Sequence, residues 1–407
     1  MVSGLLSDLR KMVNALRKAL WAAVSRWCAC SSLFPPRGGS RVTVALVCLS
    51  SLVTRHCCFA MHFLIVRLSS IGDIVHALPA VVALGEAFPH AEISWAIEHR
   101  YAMLLDGNPF VRRLIPLDTL GWRSRLASIY TLEEVVRSIV ALREFQFDVA
   151  IDFQGLIKSG LIGWISRSQE RLGFAENWLR EPAAGAFYTQ RVSPRGRRHV
   201  IEMNLALVER LGVPALQPSE WRFPLPHSAS HEQFVRERLA ALGVEQFIII
   251  NPGGGWISKR WSPGNYAELL RLIERHHREL GWRILLTGSP AEEGLIQEIL
   301  ERSGSKQATY FASTLAQFIA LAHRAELFVG GDTGPLHLAA AVGTPIVAIY
   351  GPTDRARNGP FSTTDITLSN NGAIDHTRRA RKPAFLPGVA VESVLGAILE
   401  RVGRDHG

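Results

Sequence analysis

From Met61 onward the sequence switches repeatedly between short β-rich apolar runs and longer stretches of helical spacing, and this alternation leaves few folds open. "HFLIVRL" (62–68) gives way to the helical "IVHALPAVVALGEAF" (74–88), then to "EISWAIE" (92–98). Pro79 falls inside that helical stretch, so a kink or break is expected there. "FDVAIDF" (147–153) precedes "GLIKSGLIGWIS" (155–166), again at helical spacing. This is the pattern of parallel sheets with crossover helices. Residues 222–231, "RFPLPHSASH", carry two prolines between patterned segments and read as a linker. A second series follows: "QFIIIN", "RILLTGS", "TLAQFIALAHRA", "ELFVGGD" and "PIVAIYG". In it Ser262 and Pro263 supply an N-cap and a first-turn proline for a helix. The expected architecture is α/β, two doubly wound domains facing a central cleft, spanning residues 61–225 and 226–389, with a C-terminal helix and tail over 390–407.

Residues 1–60 stand apart. They hold eight Lys/Arg and one Asp, so most of the formal net charge of +9 belongs to them and the body is nearly neutral. The basic pI therefore does not indicate a nucleic-acid partner. All five cysteines (Cys28, Cys30, Cys48, Cys57, Cys58) also precede Met61, which leaves the body without a disulfide framework or a cysteine-based metal site. The apolar run "VTVALVCLSSLV" (42–53) is short against the roughly 20 residues of a spanning helix. It also starts too far in for a signal peptide. Residues 1–60 are thus expected to lie outside the fold, as a membrane-surface anchor or as translated sequence upstream of a true start at Met61. The strand opening directly at Met61 favours the latter.

Chemistry gathers at three places. In "ELFVGGDTGPLHLAAAVGTPIVAIYGPTD" (326–354) a strand ends at Gly330–Gly331, and Asp332, Thr333, Gly334, Pro335 and His337 follow at its carboxyl end. The short helix ending at Gly343 aims its first N–H groups at the usual ligand crevice of open α/β sheets, where a pyrophosphate fits. The alternative is an unoccupied tight turn. "NPGGGWISKRWSP" (251–263) puts three glycines, Gly254 and Gly255 among them, next to Lys259 and Arg260. It lacks P-loop spacing, and no G-x-G-x-x-G follows the first strand. Together with the Asp332 turn it suggests a nucleotide diphosphate held from two sides. The first half offers "RLSSIGDIVHALP" (67–79), with Ser69, Ser70, Gly72 and Asp73, and "DFQGLIKS" (152–159), with Lys158. Asp73 reads either as a first-turn helix cap or as a proton acceptor facing a cleft. Lys158 reads equally as a solvated helix residue. No H-E-x-x-H, clustered triad or acidic pair at a strand end marks a catalytic metal.

Over residues 61–400 the chain resembles the ADP-heptose:lipopolysaccharide heptosyltransferases of glycosyltransferase family 9, most of all type I. The resemblance is carried by "IVRLSSIGDIVHALPA", "DFQGLIKSG", "REPAAGAFY" (180–188), "KRW" (259–261), "GDTGPLHLAAAVGTP" and "YGPTD…RNGPF". It implies a GT-B fold of two Rossmann-like domains, an acceptor half and a donor half. It also implies transfer of L-glycero-D-manno-heptose from ADP-heptose to a Kdo sugar of Kdo2-lipid A, with inversion, no cofactor and no obligatory metal. The enzyme would sit peripherally on the cytoplasmic face of the inner membrane. Asp73 matches the family's catalytic base, Lys259 its phosphate-contacting lysine, and Asp332, Thr333, Gly334 and His337 its donor turn. Ser69, Ser70, Gly72, Arg123 and Lys158 fall on the acceptor side. The chain departs from the family in two places. "GWRSR" (121–125) keeps only Arg123 and Arg125 of a basic cluster, and Gly253–Gly255 stand where hydroxyl residues are common, leaving phosphate contact to backbone N–H groups.

The physics of an inverting transfer asks for the same layout: one base on the acceptor side and stabilisation of a departing diphosphate on the other. Another nucleotide-sugar transferase or epimerase would share the diphosphate site. A non-enzymatic nucleotide-sugar-binding protein would share it too, with Asp73 only a cap.

Overall fold

The structure, a computed structural model, describes residues 61–403 except 126–127, 256, 277–281, 352, 370–384 and 387. The expectations for residues 1–60 lie outside the described residues. Residues 60–407 form one compact unit.

Two six-stranded sheets, every pairing parallel, make the body. The first contains β1 (His62–Val66), β2 (Glu92–Glu98), β3 (Arg113–Leu117), β4 (Val149–Asp152), β5 (Glu170–Phe174) and β6 (Gln190–Val192), in the order β3-β2-β1-β4-β5-β6. The second contains β7 (Phe247–Asn251), β8 (Arg283–Leu286), β9 (Ala308–Tyr310), β10 (Leu327–Gly331), β11 (Ile346–Tyr350) and β12 (Ile366–Ser369), in the order β12-β11-β10-β7-β8-β9. Each half thus repeats the doubly wound order 3-2-1-4-5-6, and each has its switch point between its first and fourth strands. The central strands are apolar on both faces ("FIIIN" of β7 is wholly buried) because helices cover both sides.

Break and linker appear near their expected places. The helix expected over 74–88 is two, α1 (Ile71–Val75) and α2 (Leu78–Ala87), parted just ahead of Pro79. Pro79 removes an N–H donor and is accommodated in the first turn of α2. In the first half follow α3 (Thr119–Ser124), α4 (Ile129–Glu144), α5 (Ile157–Ile165) and α6 (Val200–Glu209). The linker ends sooner than the sequence suggests. Ser228 accepts from the His231 N–H and starts α7 (Ala229–Ala241), so residues 229–231 belong to a helix. The second half continues with α8 (Pro263–Arg275), capped by Ser262 as expected, α9 (Glu293–Ser303), α10 (Leu315–Ala322), α11 (Gly334–Ala341) and α12 (Arg355–Asn358). The C-terminal helix α13 (Val391–Gly403) packs on α8 and β11, inside the core of the second half.

The two halves meet directly. One apolar cluster runs from Phe63 and Trp95 of the first sheet through Leu336 to Phe247 and Phe328 of the second. Its link is α1 against α11, which pack together closely. A Cβ on Gly72 would stand 2.2 Å from His337 Cδ2, and one on Gly334 would stand 2.8 Å from Ile71 Cδ1. The linker adds Phe223 stacked on Phe361, ring centroids 4.6 Å apart.

Candidate active site

All four switch-point strands end in the residues singled out from the sequence. β1 leads to Ser69–Asp73 and β4 to Gln154–Lys158. β7 leads to Gly253–Gly255, and β10 to Asp332–His337.

Asp73 is the third residue of α1 and its carboxylate does two jobs. Oδ2 accepts from both the N–H and the hydroxyl of Ser70, each at 2.9 Å, so it does cap the helix. Oδ1 pairs with the guanidinium of Arg67. Burial pushes the carboxyl up, but Arg67, the two Ser70 donors and His337 together outweigh it and hold Asp73 below its ordinary value. The side chain remains 40% exposed, so an ionised oxygen faces solvent. Arg67, which the sequence reading missed, is itself buried, with its other terminal nitrogen donating to the Phe153 carbonyl. The one available signal was a cation ending an apolar strand.

The turn after β10 is tightly built. Asp332 is buried. It accepts from Lys259 Nζ at 2.5 Å through Oδ2 and lies 3.1 Å from His337 Nε2 through Oδ1. Burial pushes Asp332 up, yet His337 and Lys259 overcome it and keep the carboxyl far below the usual range. Lys259 also reaches the Asp332 carbonyl at 3.2 Å, and its side chain is only 13% exposed. It is therefore more enclosed than a free loop lysine. Thr333 is the N-cap of α11, yet its side chain does not cap the helix. Its hydroxyl and His337 Nδ1 are buried without a hydrogen-bond partner among the described residues. Unpaired buried polar atoms at a helix N-terminus are what a ligand-binding turn presents.

The motif "KRW" divides into three tasks. Lys259 neutralises Asp332, and Arg260 braces the glycine loop by donating twice to the Gly254 carbonyl at 2.8 and 2.7 Å. Trp261 anchors the segment in the core with its indole N–H on the Val389 carbonyl. The loop differs from expectation in one respect. The Gly254 N–H is taken by Glu292 Oε1 at 2.9 Å, and a Cβ on Gly253 would strike that same carboxylate. The N–H of Gly254 is thus engaged by an acid, and Gly255, exposed with open space around its Cα, is the glycine left facing outward. Glu292 lies 38 residues beyond Gly254, out of reach of a local motif.

In the first half, Lys158 Nζ stands 3.7 Å from the buried carboxylate of Glu98 and donates to Thr119 at 3.2 Å. Thr119 also donates to Glu98. Lys158 is therefore held at the cleft edge of β2 rather than waving in solvent. Gly72 and Gly334 are small because α1 and α11 approach each other, a reason internal to the fold. Ser69 is half-buried and Ser70 exposed. Arg123 lies on α3, and its side chain is outside the described residues. Among the described residues no three His, Cys, Asp or Glu side chains are grouped as a metal site.

The same fold and related sequences occur among known proteins. The family model "Glycosyltransferase family 9 (heptosyltransferase)" matches residues 135–385. Lipopolysaccharide heptosyltransferase 1 of Pseudomonas aeruginosa is 30% identical over 323 residues, 76% of this chain and 84% of that protein. The solved E. coli heptosyltransferase WaaC with ADP-2-deoxy-2-fluoro heptose is 26% identical, with a TM-score of 0.66 over 84% of this chain and 99% of that one. A family 9 glycosyltransferase from Veillonella parvula has the same fold, with 22% identity and a TM-score of 0.71 over 84% and 98% of the two chains. The chain is a glycosyltransferase with a GT-B fold, and it belongs to glycosyltransferase family 9, the heptosyltransferases.

Proposed function

We propose that this glycosyltransferase is a type I enzyme that moves L-glycero-D-manno-heptose from ADP-heptose to a Kdo sugar of Kdo2-lipid A, in building the lipopolysaccharide inner core. The names of the relatives support the donor and the pathway. On this reading residues 61–225 bind the acceptor and 226–389 the donor. The observation that carries it is the junction of α1 and α11, which joins Asp73 and the Asp332–His337 turn through packed side chains.

The acceptor hydroxyl oxygen attacks the anomeric carbon of the heptose, the bond from that carbon to the diphosphate oxygen breaks, and ADP leaves. Attack from the face opposite the leaving group inverts the centre. The hydroxyl proton passes to Asp73, whose lowered pKa keeps it ionised at neutral pH and makes it a weak base, so proton transfer accompanies bond formation rather than preceding it. Lys259 and the first N–H groups of α11 face the growing negative charge on the diphosphate. No helix of the described residues is long and apolar enough to cross a membrane, so a lipid-borne acceptor would be met at a bilayer surface.

The test is ADP release on mixing the protein with ADP-heptose and Kdo2-lipid A, with ADP-glucose and UDP-sugars in parallel. Release with ADP-heptose alone among the donors supports the reading. Preference for another donor makes the chain a different family 9 transferase, and donor binding without release makes it a nucleotide-sugar-binding protein.

A further inference from the structure

Gly72 and His76 stand one turn apart, joined by the His76 N–H donating to the Gly72 carbonyl at 2.9 Å. Positions i and i+4 share one side of a helix, so these two residues face the same neighbour. That neighbour is His337 of α11, in the other half of the protein. Its ring lies so close to Gly72 that a Cβ there would stand 2.2 Å from Cδ2 and 2.9 Å from Cγ and Nε2. The His76 ring closes a second side, its centroid 4.6 Å from that of His337 and the two planes at 73°. The His337 imidazole thus sits in a slot whose floor is the backbone at Gly72 and whose wall is the His76 ring.

The wall is pinned from several elements. His76 is 2% exposed, and its carbonyl accepts from Nδ2 of Asn204, a buried residue of α6, at 2.9 Å. His199, the N-cap of α6, packs edge-on to the His76 ring at 5.6 Å, and Phe361 does so at 6.4 Å. Burial, ahead of the charges of His337, His199 and Arg67, keeps the His76 imidazole well below its ordinary value despite Asp332, so the ring is uncharged at neutral pH. An uncharged ring lies against the imidazole of His337 without repelling it.

What the slot fixes is the reach of His337. With the ring plane held, Nε2 stays 3.1 Å from Asp332 Oδ1, while Asp332 Oδ2 keeps Lys259 Nζ at 2.5 Å. The torsion that turns an imidazole about its Cβ–Cγ bond is broad and soft. Without a wall, that rotation would carry Nε2 off the carboxylate and leave Asp332 to Lys259 alone.

We infer that His76 is a positioning residue: through His337 it holds Asp332 and Lys259 in the geometry that receives the diphosphate, so the helix that carries Asp73 also sets the turn after β10. The inference rests on the reading above that this turn takes the nucleotide diphosphate. It is tested on the full chain by calorimetric titration of ADP, with kcat and KM for ADP-heptose. The wild type is compared with His76→Ala, His76→Phe, His337→Ala and His76→Ala/His337→Ala, each checked for folding by circular dichroism and melting. His76→Ala is expected to bind ADP at least fivefold more weakly and to raise KM to match. His76→Phe, which keeps a flat wall, should recover most of that loss. Because His76 acts through His337, its removal from the His337→Ala protein should cost less than a further twofold. A purely structural role would lower the melting temperature alone, so a folded His76→Ala protein with wild-type ADP affinity overturns the inference. Losses that multiply in the double variant overturn it too. If His76→Ala does not fold, His76→Leu takes its place, filling the space without a flat face, with the same loss expected and the same result overturning. A wild type that binds no ADP overturns both this inference and the reading it rests on. If the variants follow the expected pattern with ADP but the wild type transfers no heptose to Kdo2-lipid A, the acceptor assignment fails while the role of His76 stands.

Discussion

Gly72 and His337 touch across the junction of the two halves, with so little room that a methyl group on Gly72 would lie 2.2 Å from a ring carbon. The imidazole that holds Asp332 is therefore seated against the helix that carries Asp73. Gly72→Ala is expected to push the halves apart, lowering stability by about 1–3 kcal/mol as overpacking does and lowering turnover more than the stability loss explains. Thermal melting and steady-state rates check it. Gly255→Ala is the control, since a Cβ there meets nothing within 4 Å, and its melting temperature should match wild type.

A second buried knot explains why two distant motifs occur together. Asp152 accepts from Ser159 Oγ and from the Tyr188 hydroxyl, both at 2.7 Å, as well as from the N–H groups of Gln154 and Gly155. Glu181 caps α5 by accepting from the Ile157 N–H. "DFQGLIKS" and "REPAAGAFY" are thus one structure, whose outcome is the placement of Lys158. Burial pushes Asp152 up despite its four donors, so losing one matters. Tyr188→Phe should cost about 1–3 kcal/mol in urea unfolding, and Ser159→Ala a similar amount.

Much of this was legible in the sequence because it is local. The strands, the turn after β10 and the glycine loop are contiguous patterns, and parallel pairing follows from their alternation with helices. What could not be read was set by packing between segments far apart in the chain. The partners of Asp73 at Arg67, of Gly254 at Glu292 and of Lys158 at Glu98 face one another only once the sheets exist. Gly72 and Gly334 read as glycines serving a ligand, yet each is required by the neighbouring helix, a distinction no single sequence contains. Asp73 reads in the sequence as cap or base, and its geometry permits both.

Stability should fall on acidification in two separate windows. His76, buried against His337 at 4.6 Å between ring centroids and near His199, is held well below its ordinary 6.5, first by burial and then by the charges of His337, His199 and Arg67, with Asp332 opposing. His199 is lowered too, first by burial. The unfolded chain takes protons that the folded one refuses, so the stability they contribute is complete above about pH 6.5 and declines below it. Asp73 and Asp332, also lowered, give a second decline only below about pH 4, as their unfolded carboxyls protonate. His76→Phe should flatten the upper window and leave the lower one, measured by melting temperature from pH 8 to pH 3.

Lys259 holds Asp332 and, on the proposed reading, also faces the diphosphate. Lys259→Ala leaves Asp332 buried with His337 alone, so it should lower stability by about 3 kcal/mol and weaken ADP binding by about 1.5–3 kcal/mol. Lys259→Met with Asp332→Asn removes the pair together and should restore most of the stability but not the ADP affinity. Calorimetric titration of ADP into each variant, alongside urea unfolding, separates the two effects. Unchanged ADP affinity would make the lysine a structural cation only.

The central claim is that Asp73 accepts the proton of the transfer, and Asp73→Asn tests it most directly. Asparagine keeps the shape and still accepts from the Ser70 N–H, while the pairing with Arg67 is lost. Stability should therefore fall by only about 1–2 kcal/mol, and ADP affinity should stay within twofold of wild type. The turnover number with ADP-heptose and Kdo2-lipid A should fall about 10²–10⁴-fold, the usual worth of a positioned base. A folded Asp73→Asn protein that binds ADP normally and transfers heptose at close to the wild-type rate would contradict the account.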